Sequence, residues 1–102
     1  MDLPPGFDAV LHPPARLQIV AVLANVDDAE FAKLRELVGV SDSVLSKHLA
    51  ALGEAGHIVL RKAASDGRQR TRVSLTRAGR KAFDGHVAAL QRIVAGDATF
   101  VR

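Results

Sequence analysis

Apolar positions recur at helical spacing in four stretches of the chain and alternate with polar ones in two others. Leu17, Val20 and Ala21 share one stripe, widened by Ile19 and Leu23, with Pro13 and Pro14 just ahead of it. Proline suits the first turn of a helix, where its missing N–H would lack a partner anyway. Residues 15–24 are therefore predicted to form a first, largely buried helix. Phe31, Leu34 and Val38 predict a short second helix from Phe31 to Val38, with Lys33, Arg35 and Glu36 outside and Ala29-Glu30 as a brief strand before it. Gly39-Val40-Ser41 breaks the pattern, and Ser41 is a good N-cap for the next helix. Leu45, Leu49 and Leu52 give the stripe of that third helix, from Asp42 to about Ala55. Ser43, Ser46 and Lys47 point away from that stripe, and His48 flanks it.

After Gly56 the period changes. Ile58 to Ala64 reads as a strand and Thr71 to Thr76 as its antiparallel partner, with Val73 and Leu75 inward and Arg72 and Ser74 outward. Between them, Ser65-Asp66-Gly67-Arg68-Gln69-Arg70 is expected to be a projecting basic loop, longer than a minimal hairpin turn. Thr76 can cap a last helix from Arg77 to about Ala95. This helix carries two apolar rows, Phe83-Val87-Leu90-Val94 and Ala82-Ala89-Ile93, more than one side of a small core needs. The first eleven residues contain Pro4-Pro5-Gly6, lack periodicity, and read as an arm that is loose unless docked.

Composition narrows the function. With 102 residues, 48% apolar and 25% charged, the chain is one globular domain, too small to spare apolar side chains for a deep substrate cavity. Cysteine is absent, which excludes disulfides, thiolate metal sites and cysteine nucleophiles. No leader and no membrane span is visible, so the expected compartment is the cytoplasm. Charge is uneven. Residues 1–60 carry four Lys/Arg against eight Asp/Glu, net −4, whereas residues 61–102 carry ten against three, net +7. A positive field of that density suits a polyanion, although a solvated basic face would produce the same count.

The order of elements decides between those readings. A helix, a helix–turn–helix, a two-stranded hairpin with a basic tip and a long last helix make a winged helix-turn-helix. The expected class is mainly α with a small β-hairpin: a three-helix core, a two- to three-stranded wing and a long C-terminal helix. Residues 1–11 would be the arm, 12–76 the DNA-binding domain and 77–102 the element of dimerisation. Val40-Ser41-Asp42-Ser43-Val44-Leu45-Ser46-Lys47-His48-Leu49, then Leu52 and Glu54-Ala55-Gly56, resembles bacterial winged-helix regulators of the MarR and ArsR type. Asp66-x-Arg68 and Val73-x-Leu75-Thr76-x-x-Gly79 resemble the MarR wing and the start of its next helix. His12-Pro13 with Arg16-Leu17-Gln18-Ile19 resembles the opening helix of ArsR-like domains. The chain departs from those families in having a short arm and one long last helix where MarR proteins carry extra helices, and in lacking the cysteines of many ArsR metal sensors.

The resemblance implies a transcription regulator, here expected to be a homodimeric repressor on a palindromic duplex. The helix from Asp42 would enter the major groove, with Ser41, Ser43, Ser46, Lys47 and His48 as candidate DNA ligands. Lys62, Arg68, Arg70 and Arg72 would serve the minor groove or phosphates, with Asp66 orienting its arginine neighbour. Phe83, Val87, Leu90, Ile93 and Val94 are the candidate dimer seam. The alternative is a winged helix that docks a protein or RNA, but a protein-docking face favours aromatic anchors and the chain has neither Trp nor Tyr. His12, His48, His57 and His86 are widely spaced, so no metal and no cofactor is implied, and no small-molecule effector is indicated. Asp42, Ser46 and His48 share one helix in a spacing unlike a nucleophile, base and orienter, so an enzyme is not expected.

Overall fold

The computed structural model describes residues 2–97 and 99. Its elements are α1 (Pro14–Leu23), β1 (Ala29–Glu30), α2 (Phe31–Val38), α3 (Asp42–Glu54), β2 (Ile58–Ser65), β3 (Arg68–Leu75) and α4 (Arg77–Val94). The strands form one antiparallel sheet in the order β1-β3-β2, in which Ala29 pairs with Val73 and Leu60 pairs with the same Val73 from the other side. Ile19, Val20 and Leu23 of α1, Leu34 of α2, and Leu45, Leu49 and Leu52 of α3 meet Ile58 and Val73 of the sheet in one core. This is the winged helix-turn-helix that the periodicity predicts, including the two-residue strand before α2.

The basic loop is a correction. Pairing of β2 with β3 continues to Ser65 opposite Arg68, which leaves only Asp66 and Gly67 as the turn. Both have positive φ, 53° and 76°, the backbone of the two-residue turn whose twist matches paired strands. The wing projects as a ribbon of paired strands, eight residues on each side, rather than as a loop.

The arm is docked. Pro4 is buried, and Leu11 is fully buried within the main core, so the packing does not divide at residue 11. On α4 the row that faces the body is Gly79, Ala82, His86 and Ala89; Gly79, His86 and Ala89 are buried. Phe83, Val87 and Leu90 are half-buried, Ile93 is exposed, and Val94 is 85% exposed. Thr76 fixes the start of α4. Its hydroxyl oxygen accepts the Gly79 N–H at 2.9 Å and donates to the Gly56 carbonyl at 2.7 Å, tying α4 to the α3–β2 corner.

Candidate nucleic-acid interface

The outer face of α3 follows from what its inner face must do. Leu45, Leu49 and Leu52 are 0–1% exposed, which fixes the helix rotation and leaves Ser43, Ser46 and Lys47 in solvent. Ser41 caps the helix: its Oγ accepts the Val44 N–H at 3.2 Å and lies 3.3 Å from Ser43 Oγ. Asp42, the acid of the first turn, is held by Arg35 Nη1 at 2.7 Å. That ion pair joins α2 to α3 and offsets a carboxylate that a phosphate backbone would otherwise repel.

His48 is not part of this outward set. It is half-buried, and its Nδ1 accepts a 3.1 Å bond from Arg16 Nε of α1. Burial, and then the nearby Arg16 cation, push its imidazole below the ordinary histidine pKa. The expectation that His48 faces a groove therefore meets a histidine engaged with α1.

The wing divides its cations. Cross-strand partners project to the same face of a ribbon, so Arg68, Arg70 and Arg72 share one face, while Lys62, opposite Thr71, lies on the other. The structure does not bring Lys62 and the three arginines onto one surface. Arg70 Nη1 lies 3.1 Å from Glu30 Oε1. Arg72 is bound more closely, with Nε donating to Asp28 Oδ1 at 2.8 Å and Nη2 at 2.6 Å from the same oxygen. Arg61 Nη2 reaches the other Asp28 oxygen at 3.2 Å. The Arg72 bond foremost, with Arg61 adding to it, holds the Asp28 carboxyl below the usual carboxylate range. Arg72 is thus a brace between the wing and β1 rather than a side chain held ready for phosphate. Arg68, Lys62 and Lys47 are exposed and have no side-chain partner among the described residues. Asp66 forms the turn; no bond from its carboxylate to Arg68 is present among the described residues.

Sequence reasoning missed Asp28 and Glu30 as wing braces. The brief strand at Ala29-Glu30 was their one local signal, because pairing it beside β3 sets both acids against the arginine face. It also missed that His57 and His86 flank Asp8, with His12 near the His86 ring. No group of three or more His, Cys, Asp or Glu among the described residues is placed to hold a metal ion. Among those residues, no helix is long and apolar enough to cross a membrane.

A capped helix presented by its leucine stripe, a Gly-containing turn before it and a braced two-stranded wing define a class. The chain belongs to the winged helix DNA-binding domain family, whose model matches residues 15–94. More particularly, it is 33% identical over 72 residues to an uncharacterised protein of Methanocaldococcus jannaschii, covering 71% of this chain and 78% of that one. It superposes on a transcriptional regulator homologue from Pyrococcus horikoshii OT3 with a TM-score of 0.80 and 25% identity, over 85% of this chain and 86% of that one. A MarR family transcriptional regulator from Silicibacter pomeroyi DSS shares the fold, with a TM-score of 0.67 and 24% identity over 90% of this chain and 60% of that longer one.

Proposed function

We propose that this chain is a cytoplasmic transcription regulator that binds duplex DNA as a homodimer and represses by covering its site. The observation that carries the reading is the N-terminal half of α3. Three buried leucines hold it so that Ser43, Ser46 and Lys47 are exposed together, with Arg68 projecting on the wing. A major groove admits such a helix, and the N-terminal residues of a recognition helix are those that meet base edges. In this reading Ser43, Ser46 and Lys47 face bases or phosphates, Ser41 serves as the cap, and Arg68 and Lys62 serve the backbone, Arg70 being held by Glu30.

The homodimer reading rests on α4. Gly79, His86 and Ala89 turn inward and Phe83 packs against the core, so the half-buried Val87 and Leu90 with the exposed Ile93 and Val94 are left for a second copy. Two-fold pairing along them would present two recognition helices about 34 Å apart, matching a palindromic site. Selection of bound sequences from a pool of random duplexes is the test. Enrichment of an inverted repeat supports the reading; equal retention of all duplexes, or retention of single-stranded RNA in their place, contradicts it.

A further inference from the structure

The arm does more than cover the core. Asp8 stands between two buried histidines: its backbone N–H donates to His86 Nδ1 at 2.9 Å, and its Oδ2 lies 3.0 Å from His57 Nε2. Its Oδ1 accepts the Val10 N–H at 2.9 Å. The Val10 carbonyl accepts from Arg16 Nη1 at 3.3 Å, and Arg16 Nε donates to His48 on α3. A hydrogen-bonded path thus runs from α4 through the arm and α1 to the recognition helix. The dock is close where it crosses α4, since a Cβ on Gly6 would lie 2.8 Å from the Gly85 carbonyl oxygen. Phe7 and His12 close over His86, with ring centroids 4.9 Å and 5.7 Å from it. His86 itself is fully buried, and its Nε2 has no partner among the described residues.

We propose that the arm is a proton-operated strap: neutral His86 holds it against α4, and a proton on His86 releases it, loosening α4 and, through Arg16, the recognition helix. The consequence for DNA rests on the function proposed above; release of the arm does not.

The chemistry follows from the donor count. His86 Nδ1 accepts from Asp8, so the neutral ring carries its hydrogen on Nε2. A proton on Nδ1 would set two N–H groups against each other and enclose a charge with no new acceptor. The titratable neighbours come from the arm and from the α3–β2 corner. Burial foremost, and then His12, oppose a charge on His86 and together outweigh the Asp8 carboxylate that favours one, so the imidazole sits below its ordinary pKa. His57 faces the carboxylate from the far side of Asp8, its Nε2 3.0 Å from Oδ2. His48 acts in the direction of His86, because a proton on its Nδ1 displaces the Arg16 donor.

The sign is therefore fixed. A lowered pKa in the docked state means that the released state binds the proton more readily. Docking is complete above the ordinary histidine pKa and weakens as pH falls below it, until the lowered pKa of the docked ring is passed. Acid would otherwise tighten a basic protein on DNA by adding positive charge. Weakening is the opposite of that background.

The test is two-dimensional NMR of the intact protein from about pH 8 to about pH 5, with duplex affinity measured across the same range at constant salt. The Asp8 and Val10 amide signals are expected to move with the midpoint of the His86 ring, and affinity to be lost as pH falls through that midpoint. His86→Asn retains an acceptor and cannot titrate, so it should flatten the amide transition. Gly6→Ala changes no histidine and should release the arm at neutral pH, lowering affinity there. Amides that stay docked while His86 titrates, or a Gly6→Ala arm that remains in place at full affinity, overturn the strap. Affinity that ignores a released arm overturns the coupling to α3. If no duplex binds at any pH, the DNA half fails with the proposed function, and the amides alone decide the arm.

Discussion

Arg68 and Arg72 are four residues apart on one strand face, yet their surroundings give them different work. Arg72 meets Asp28 at 2.6 Å, whereas Arg68 stands exposed beside the turn. Arg68→Ala is expected to weaken binding to all duplexes alike and to lower the salt slope by about one for each subunit. Arg72→Ala should leave that slope nearly unchanged and lower Tm modestly, because Asp28 loses its main partner. Anisotropy titrations at several salt concentrations, beside thermal melts, separate the two. Ser41→Ala removes the bond to the Val44 N–H and should cost about 1 kcal/mol of stability by chemical denaturation. The cap was legible from the sequence, since Ser41 directly precedes the leucine stripe. The partners of His48 and Arg72 were not, because they lie 32 and 44 residues away and local pattern carries no such information.

Helices and strands with a buried face were legible for the same physical reason throughout: burial imposes the period. The wing tip lacks that constraint. From Lys62 to Thr71 the ribbon packs on little, so its residues do not alternate between apolar and polar, and Arg68-Gln69-Arg70 reads as loop. The Asp-Gly pair was the usable signal, being a strong two-residue hairpin sequence. On α4 the two apolar rows were visible, but not which one the body would take. The close approach of α4 to the body takes the small side chains together with His86 and, at its start, Phe83, leaving Val87 and Leu90 half-buried and Val94 exposed. Leu90→Glu is therefore expected to give a folded monomer, since each large side chain in the seam is worth about 1.5–3 kcal/mol when buried. Ala89→Glu, at a fully buried position, should fail to fold. Sedimentation velocity and circular dichroism on both variants check this. A Leu90→Glu dimer would place the seam elsewhere.

For the whole molecule, the charge asymmetry is real but partly spent internally. Asp28 and Glu30, from the acidic half, pair with Arg61, Arg70 and Arg72 of the basic half and offset two of those three charges. What remains for a polyanion is fewer cations than the +7 of residues 61–102 suggests. Among the described residues, Lys47, Lys62 and Arg68 are the cations on α3 and the wing without a side-chain partner, so a dimer would neutralise about six phosphates, and log K should fall with log salt at a slope near −5. Titrating the protein against its selected duplex over a range of salt is the most direct measurement of the central claim, that α3 and the wing grip duplex DNA. The account predicts a slope near −5 and a clear preference for the selected duplex over a scrambled one. An affinity independent of salt, or equal for both duplexes at every salt concentration, would contradict it.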